Sequence, residues 1–542
     1  MTVPQGGESR RQRGTRSQWA RAVAPLIALA VVVSCTPAEA PVASPTATPR
    51  PTSTAEAPAE VRPVVVSTVL DGETVDLEVG PLARYDDGVS VLRLAARTDN
   101  AVLLQMSLWE VYENTGSPGP NGVRLVDRAQ RAVLPVARTG EGTTVTTRNF
   151  SPGGPATEAD QDAAGDGVVI AYAAFAIPSG DTVDVLLPQG GFVADVPVVD
   201  AADAGTLTVP PAELVTDPVV EAPVISLESF TELLGGQVSA RQAPEQLAVA
   251  IASDVLFAID SDQLGPEAEA ALRAVGDQVA AYEGGALTIV GHTDDVADDA
   301  YNLDLSQRRA HTVADRLAQL VNLDPNDLTV TGVGESEPAV DGTSPAARAA
   351  NRRVELVLEG APARQPEAAV TTAPDGTSLP DPEGPSAPGP TGVSVQDRDD
   401  TFDVRLEQVR RLGPYLVGEL EVTNTGARDL AVGSFASGAW DTRGSFDPSL
   451  QFAATNVTLP VGSTRLYPLD YVRDAEREIR EPMADRVISG IAPGATRVVT
   501  VMWPDPGTDT VVVEVARRRL EAFGGVDVGV PFRLTDVPVV DG

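Results

Sequence analysis

Two stretches of this 542-residue chain are too rich in Pro, Ala, Thr and Ser to bury a core, and they break it into separately folding pieces. The first runs from Thr36 to Arg62. The second, Ala361 to Gly392, carries Pro380-Asp-Pro-Glu-Gly-Pro-Ser-Ala-Pro-Gly-Pro390. The remaining length accommodates three ordinary domains, each large enough for its own core. The predicted organisation is a signal peptide over 1–34, a tether over 35–62, folded units over 63–200, 244–360 and 398–542, and linkers over 201–243 and 361–397. The first linker is mixed in composition and predicts a short helix near Leu227 to Leu234.

The amino terminus reads as an export signal. Arg10, Arg11, Arg13, Arg16 and Arg21 precede an apolar run, Ala22 to Val33, that is too short to span a bilayer. It ends in Val32-Val33-Ser34-Cys35, which resembles a bacterial lipobox with Cys35 as the acylated first residue of the mature chain. Cys35 is the only cysteine, so no intrachain disulfide can form, and lipid attachment explains it better than redox chemistry. The plainer alternative is an ordinary signal peptide with an incidental cysteine. Extended as polyproline, the tether reaches about 80 Å from the membrane. The expected location is the cell envelope, as a membrane-anchored lipoprotein on the outer membrane or on the extracytoplasmic face of the cell membrane. A net charge of -37, from 77 acidic and 40 basic residues, excludes nucleic acid as a natural partner.

The two outer units share a signature. Val193-Ala-Asp-Val-Pro-Val-Val-Asp200 closes one and Leu534-Thr-Asp-Val-Pro-Val-Val-Asp541 closes the other, with a Gly-X-Thr turn before a valine-rich run at Gly180 and again at Gly494. A duplicated module follows, unless the shared block is a coincidence of valine- and aspartate-rich composition. Leu416, Leu420 and Val422 alternate with Glu419, Glu421 and Thr423 before the turn Asn424-Thr425-Gly426, a half-buried strand pattern. Short strands and frequent Gly and Pro turns predict all-β sandwiches that loosely resemble immunoglobulin-like modules of secreted bacterial proteins.

The middle unit alternates instead. Strands are expected at Val255–Ala258, Ala286–Gly291, Leu328–Val333 and Arg353–Leu358, with helices near 267–282, 302–321 and 344–351: an α/β sandwich with helices against a mixed sheet. Leu272, Val275 and Val279 form a core stripe, and the first helix is capped by Asp262 or begins at Pro266. Asp294 follows a strand and Arg309 falls in an early turn of the next helix. An anion and a cation beside a helix start suit a zwitterion such as an amino-acid head.

Gly291-His-Thr-Asp294, Asn302 with Leu305-Ser306 and Arg309-Ala310, Asp254-Val-Leu-Phe-Ala-Ile-Asp-Ser-Asp-Gln-Leu264, Gly332 and Gly334 with Pro338, and Asn351-Arg-Arg-Val-Glu355 occur in one order. In these blocks the stretch from Gln246 to Glu359 resembles the OmpA C-terminal-like peptidoglycan-binding family. The resemblance implies that Asp294 holds the ammonium and Arg309 the carboxylate of diaminopimelate in the stem peptide. It extends ligand contact to Thr293, Asn302, Leu305 and Ser306, with Asn302 open to a capping role instead. The family usually places a glycine three residues after the aspartate, where this chain has Ala297.

Other readings have less behind them. The two histidines, His292 and His311, lie near no signature nucleophile and make no metal site, so neither an enzyme nor a cofactor is expected. The loop Asp294-Asp-Val-Ala-Asp-Asp-Ala lacks calcium-loop spacing and reads as a solvated acidic turn. Asp294 and Arg309 alternatively form only an internal salt bridge. Of Arg352 and Arg353, one is expected to brace the site and the other to face solvent or an acid. The expected function is non-covalent peptidoglycan binding by a lipid-anchored envelope protein. The competing reading is an adhesion or assembly protein whose β modules bind another protein, with the middle unit as a spacer.

Overall fold

A computed structural model describes residues 61–70, 72–100, 103–104, 108, 119–147, 167–234, 236–360, 379–397, 400–430, 435, 453–474, 479–486, 490–520 and 526–542. The expected signal peptide, Cys35 and nearly all of the tether lie outside these residues, as does 361–378 of the second linker. Among the described residues no helix is long and apolar enough to cross a membrane.

The first unit is built from β1 (Val64–Leu70), β2 (Glu73–Arg84), β3 (Val89–Arg97), β4 (Arg124–Asp127), β5 (Ala132–Pro135), β6 (Arg138–Thr139), β7 (Val168–Ala176), β8 (Thr182–Leu187) and β9 (Gly191–Asp200). Apart from the parallel pair β2/β9, its neighbours pair antiparallel in the order β5-β4-β8-β9-β2-β3-β7, with β1 also on β2. Strands β10 (Val219–Glu221), β11 (Ile225–Ser226) and β12 (Ser229–Leu233) follow, so the helix expected near Leu227 to Leu234 is a strand. The middle unit holds β13 (Val238–Ala243), β14 (Gln246–Ala252), α1 (Ser253–Leu256), α2 (Ala268–Val279), β15 (Ala286–His292), α3 (Asp299–Leu320), β16 (Asp327–Gly334), α4 (Pro345–Asn351) and β17 (Arg353–Glu359). The last unit comprises β18 (Ser386–Pro388), β19 (Val393–Asp397), β20 (Asp400–Arg405), β21 (Val409–Leu412), β22 (Tyr415–Asn424), β23 (Val457–Val461), β24 (Thr464–Leu466), β25 (Asp470–Asp474), β26 (Ile479–Pro482), β27 (Thr496–Pro504), β28 (Thr510–Val515), β29 (Arg518–Leu520), β30 (Val526–Val528) and β31 (Phe532–Asp541). Strands β18 and β19 fall within 361–397, so part of that expected linker is sheet.

The repeated block has one backbone in both outer units. Against β8, β9 pairs Val183 with Val196 and Val185 with Val193 across a bulge; against β28, β31 pairs Val511 with Val537 and Val513 with Leu534 across a bulge at the same place. Asp195 and Asp536 supply the left-handed residue there, at φ 56° and 51°, a conformation Asp tolerates better than most side chains. The last three residues of each block, Val198–Asp200 and Val539–Asp541, run parallel to β2 and β21, respectively. The Gly-X-Thr equivalence does not hold, however. Thr496 opens β27, which pairs with β22 as β7 pairs with β3, and the counterpart of β8 is β28, starting at Thr510.

The outer units pack on each other. Strand β22 buries Leu416, Leu420 and Val422 in its own core, while Tyr415 and Val417 on its other face join Val126, Val133, Leu186 and Phe192 of the first unit. Polar bonds cross this contact: Arg124 donates to the carbonyls of Pro482 (2.7 Å) and Ala484 (3.2 Å), Phe192 N donates to Glu419 (2.9 Å), and Gln189 N to Asp485 (2.9 Å). The segment 225–233 threads between them. Strand β11 extends β5, β12 extends β24, and β13 then carries the chain into the middle sheet. The sequence placed a linker at 201–243; its last third is sheet.

That sheet runs β16-β15-β17-β14-β13-β12, parallel only between β15 and β16. The strand that leads into α1 is Gln246–Ala252, whereas the expected strand at Val255–Ala258 begins within the helical turn α1. Leu247, Val249 and Ile251 point inward with period two and meet Leu272, Val275 and Val279 of α2 and Ala310, Val313 and Leu317 of α3. Neither expected cap serves α2, which starts at Ala268 without a side-chain cap. Gly291 and Gly332 let α3 lie directly on the sheet: a Cβ on the former would sit 2.2 Å from Ser306 O, and on the latter 2.2 Å from Gln307 N.

Candidate functional site

Asp294 leaves the end of β15 and is fixed at three points. Arg352 Nη1 donates to its Oδ2 (2.8 Å), Val296 N donates to Oδ1 (3.2 Å), and Asn302 Nδ2 donates to its backbone carbonyl (3.2 Å). Arg352 also grips Asp254 with two bonds, Nε to Oδ1 at 3.1 Å and Nη2 to Oδ2 at 2.7 Å. This guanidinium therefore joins two carboxylates from separate elements. Its hydrogen bonds hold the Asp254 carboxyl below the usual range, and Asp254 in turn raises Arg352. Arg352 is the brace; Arg353 bonds instead to Glu355 and to the Glu337 carbonyl.

Arg309 stands differently. It projects from the buried face of α3 and keeps only 5% of its surface exposed. Its guanidinium carbon lies 5.1 Å from the Phe257 ring centroid, and Nε donates to Ser261 O at 2.9 Å. Burial lowers its pKa, while Asp254 and Asp260 oppose that pull. Among the described residues no carboxylate pairs with it, and the anticipated alternative of an Asp294–Arg309 salt bridge does not form. A desolvated cation with its terminal amino groups unclaimed is ready for a carboxylate.

The remaining expected contacts lie behind this surface. Asn302 is buried within α3 rather than capping it; its Nδ2 also donates to Glu335 Oε2 at 2.6 Å, and the cap is Asp298, which accepts from Tyr301 N. Leu305 is buried, and Ser306 Oγ accepts from Gly334 N at 3.0 Å and donates to Leu303 O at 2.9 Å, tying α3 to β16. Thr293 N donates to Gly334 O, and its buried hydroxyl has no partner. His292 is buried 3.6 Å from Glu355, whose carboxyl it holds below the usual range, a supporting position.

The acidic loop is exposed from Asp295 to Ala300, as expected of a solvated turn, and three of its neighbouring acids have partners. Asp295 forms a two-bond pair with Arg348 (2.6 and 3.0 Å), Asp304 pairs with Arg308, and Asp298 caps the helix. Ala297 adopts φ 92°, where a side chain is strained and glycine is not. Among the described residues no cluster of His, Cys, Asp and Glu suits a metal ion. Sequence reasoning gave no role to Asp254 or Phe257. Both lie in the Asp254–Leu264 block, but the Asp254–Arg352 pair spans 98 residues, beyond any local pattern.

Residues 256–352 match the profile of the OmpA family. Outer membrane porin F of Pseudomonas fluorescens is 38% identical over 120 residues, 22% of this chain and 36% of the porin. The outer-membrane lipoprotein YfiB of Pseudomonas aeruginosa is 32% identical over 108 residues, 20% of this chain and 64% of the lipoprotein. The chain thus spans about a third of the first relative and under two thirds of the second. Among solved structures, the cell wall anchor of the T6SS from Pseudomonas aeruginosa is 30% identical, covering 23% of this chain and 90% of that one at a TM-score of 0.21.

Proposed function

From an OmpA-like domain at residues 256–352, we propose that this chain binds peptidoglycan without covalent chemistry, through the diaminopimelate of the stem peptide. Asp294 receives the ammonium and Arg309 the carboxylate, with Thr293, Asn302, Leu305 and Ser306 shaping the surface around them. The observation that carries this reading is Arg309: buried, stacked on Phe257, and without a bound acid among the described residues, in a chain where acids outnumber bases 77 to 40. An unpaired buried guanidinium is costly unless a ligand supplies the counter-charge. Arg352 holds Asp294 oriented, so the site is preorganised for two opposite charges.

In this proposal Cys35 carries lipid and holds the protein to a membrane of the cell envelope, and 35–62 spans toward the wall. The folded units over 63–200, 244–360 and 398–542 are assigned as three domains, the outer two as immunoglobulin-like modules. Their largely antiparallel pairing and common bulge support that assignment. The test is co-sedimentation with purified sacculi. Wild type should pellet, while Asp294→Ala and Arg309→Ala should stay soluble; pelleting by both variants would refute the site.

A further inference from the structure

A second unpaired cation lies away from the stem-peptide site. Where the three folded parts meet, a cleft of about 50 Å³ is lined by Arg131 of the β4–β5 turn, Leu227 and Ser229 of the bridging segment, Gln242 and Pro244 of the middle sheet, and Tyr415 of β22. Arg131 has its backbone pinned, its carbonyl accepting from Leu227 N at 2.8 Å, and adopts φ 53°. Its Nη2 is buried without a hydrogen-bond partner, and no described acid pairs with it. The Tyr415 ring is buried and lines the same cleft as Arg131; burial raises its phenol, Arg131 pulls it back down and Asp127 adds to the rise. The neighbouring Gln242 amide is engaged with Tyr282 Oη at 3.3 Å, leaving Arg131, Tyr415 and Ser229 as the other residues with side-chain donors that line the cleft.

We propose that this junction cleft binds a carboxylate, held by the Arg131 guanidinium and the Tyr415 hydroxyl between the apolar walls of Leu227 and Pro244. The planar guanidinium fork matches a carboxylate, and two donor groups satisfy one carboxylate better than a phosphate dianion. The volume admits about four water-sized atoms, the size of an acetate head, with any larger remainder outside. Because Arg131 comes from the first unit and Tyr415 from the last, the bound anion links the two. The carboxylate belongs either to a free small acid or to a peptide end.

Isothermal titration of the full chain at constant ionic strength with acetate, N-acetyl-alanine and N-acetyl-alaninamide separates these sources. Binding of acetate and N-acetyl-alanine alike assigns a small acid, binding of N-acetyl-alanine alone assigns a peptide end, and the amide should give no heat. Arg131→Asn, which retains a residue tolerant of positive φ, should weaken binding at least tenfold, and Tyr415→Phe several-fold. Titration in an Arg309→Ala background, which removes the carboxylate acceptor of the wall site, should retain the Arg131-dependent binding, so the result is independent of the wall-binding reading. Equal binding by wild type and Arg131→Asn, or no carboxylate binding by wild type, overturns the proposal.

Discussion

Replacing Gly332 with alanine tests whether the geometry under α3 sets the ligand site. The backbone accepts alanine, since Gly332 is not among the positive-φ glycines. Space does not: the new Cβ would fall 2.2 Å from Gln307 N, 2.5 Å from Ser306 Oγ and 2.6 Å from Gln307 Cα. Restoring a contact of about 3.5 Å separates helix and strand by about 1.3 Å. Overpacking of this kind costs about 1–3 kcal/mol. The shift also acts two residues further on, at Arg309, whose Nε lies 2.9 Å from Ser261 O. Moved by that amount, the guanidinium loses its anchor and its aim, and a charged hydrogen bond is worth about 1.5–3 kcal/mol. Affinity for a diaminopimelate stem peptide should fall about 10- to 100-fold, with a matching loss of stability in urea denaturation. Affinity within twofold of wild type and an unchanged urea midpoint would refute the packing argument.

Ala297→Gly relieves the strained φ of 92° and should raise the stability of the Asp294 loop by about 0.5–1 kcal/mol, read as slower hydrogen exchange there; faster exchange would contradict it. Asp485, buried between the outer units, has its carboxyl pushed up to about 6 by desolvation, against the pull of the Gln189 and Thr500 amides. The folded state therefore holds that proton where the unfolded chain has released it, so the stabilising contribution of Asp485 declines as pH rises from about 4 to about 6, by at most about 1.4 kcal/mol per pH unit. Asp485→Asn should flatten that slope in urea midpoints measured across the window, and parallel slopes would count against it. Cys35→Ala should move the expressed protein from the detergent phase to the aqueous phase in a cloud-point separation; retention in detergent would rule out acylation at that position.

The middle unit was legible because its elements are long and locally periodic. The stripe of Ala310, Val313 and Leu317 announces α3 without reference to anything else. Strand β14 was not, since Gln246-Leu-Ala-Val-Ala-Ile-Ala252 alternates leucine, valine and isoleucine with alanine, a weak contrast, whereas Val255-Leu256-Phe257 is a more conspicuous apolar run. The short strands in the expected linkers were illegible for another reason. Ile225–Ser226 exists because Ala132 and Val133 offer an open edge, and two residues carry no period of their own. At the site, the residue types at Asp294 and Arg309 were readable, but their environments were not. Arg352 occupies Asp294 and leaves Arg309 free, a division made by residues far apart in the chain. Ala297 was visible as a departure, and its positive φ supplies the physical reason that glycine suits the position.

Calorimetric titration with two stem peptides differing only in diaminopimelate or lysine at the third position addresses the central claim most directly. Wild type should bind the diaminopimelate peptide and bind the lysine peptide at least tenfold more weakly, because lysine lacks the second carboxylate. Arg309→Ala should abolish that preference, whereas Asp294→Ala, which removes the partner of an ammonium common to both peptides, should weaken binding of both. Equal affinity of the wild type for both peptides, or a preference that survives Arg309→Ala, would contradict it.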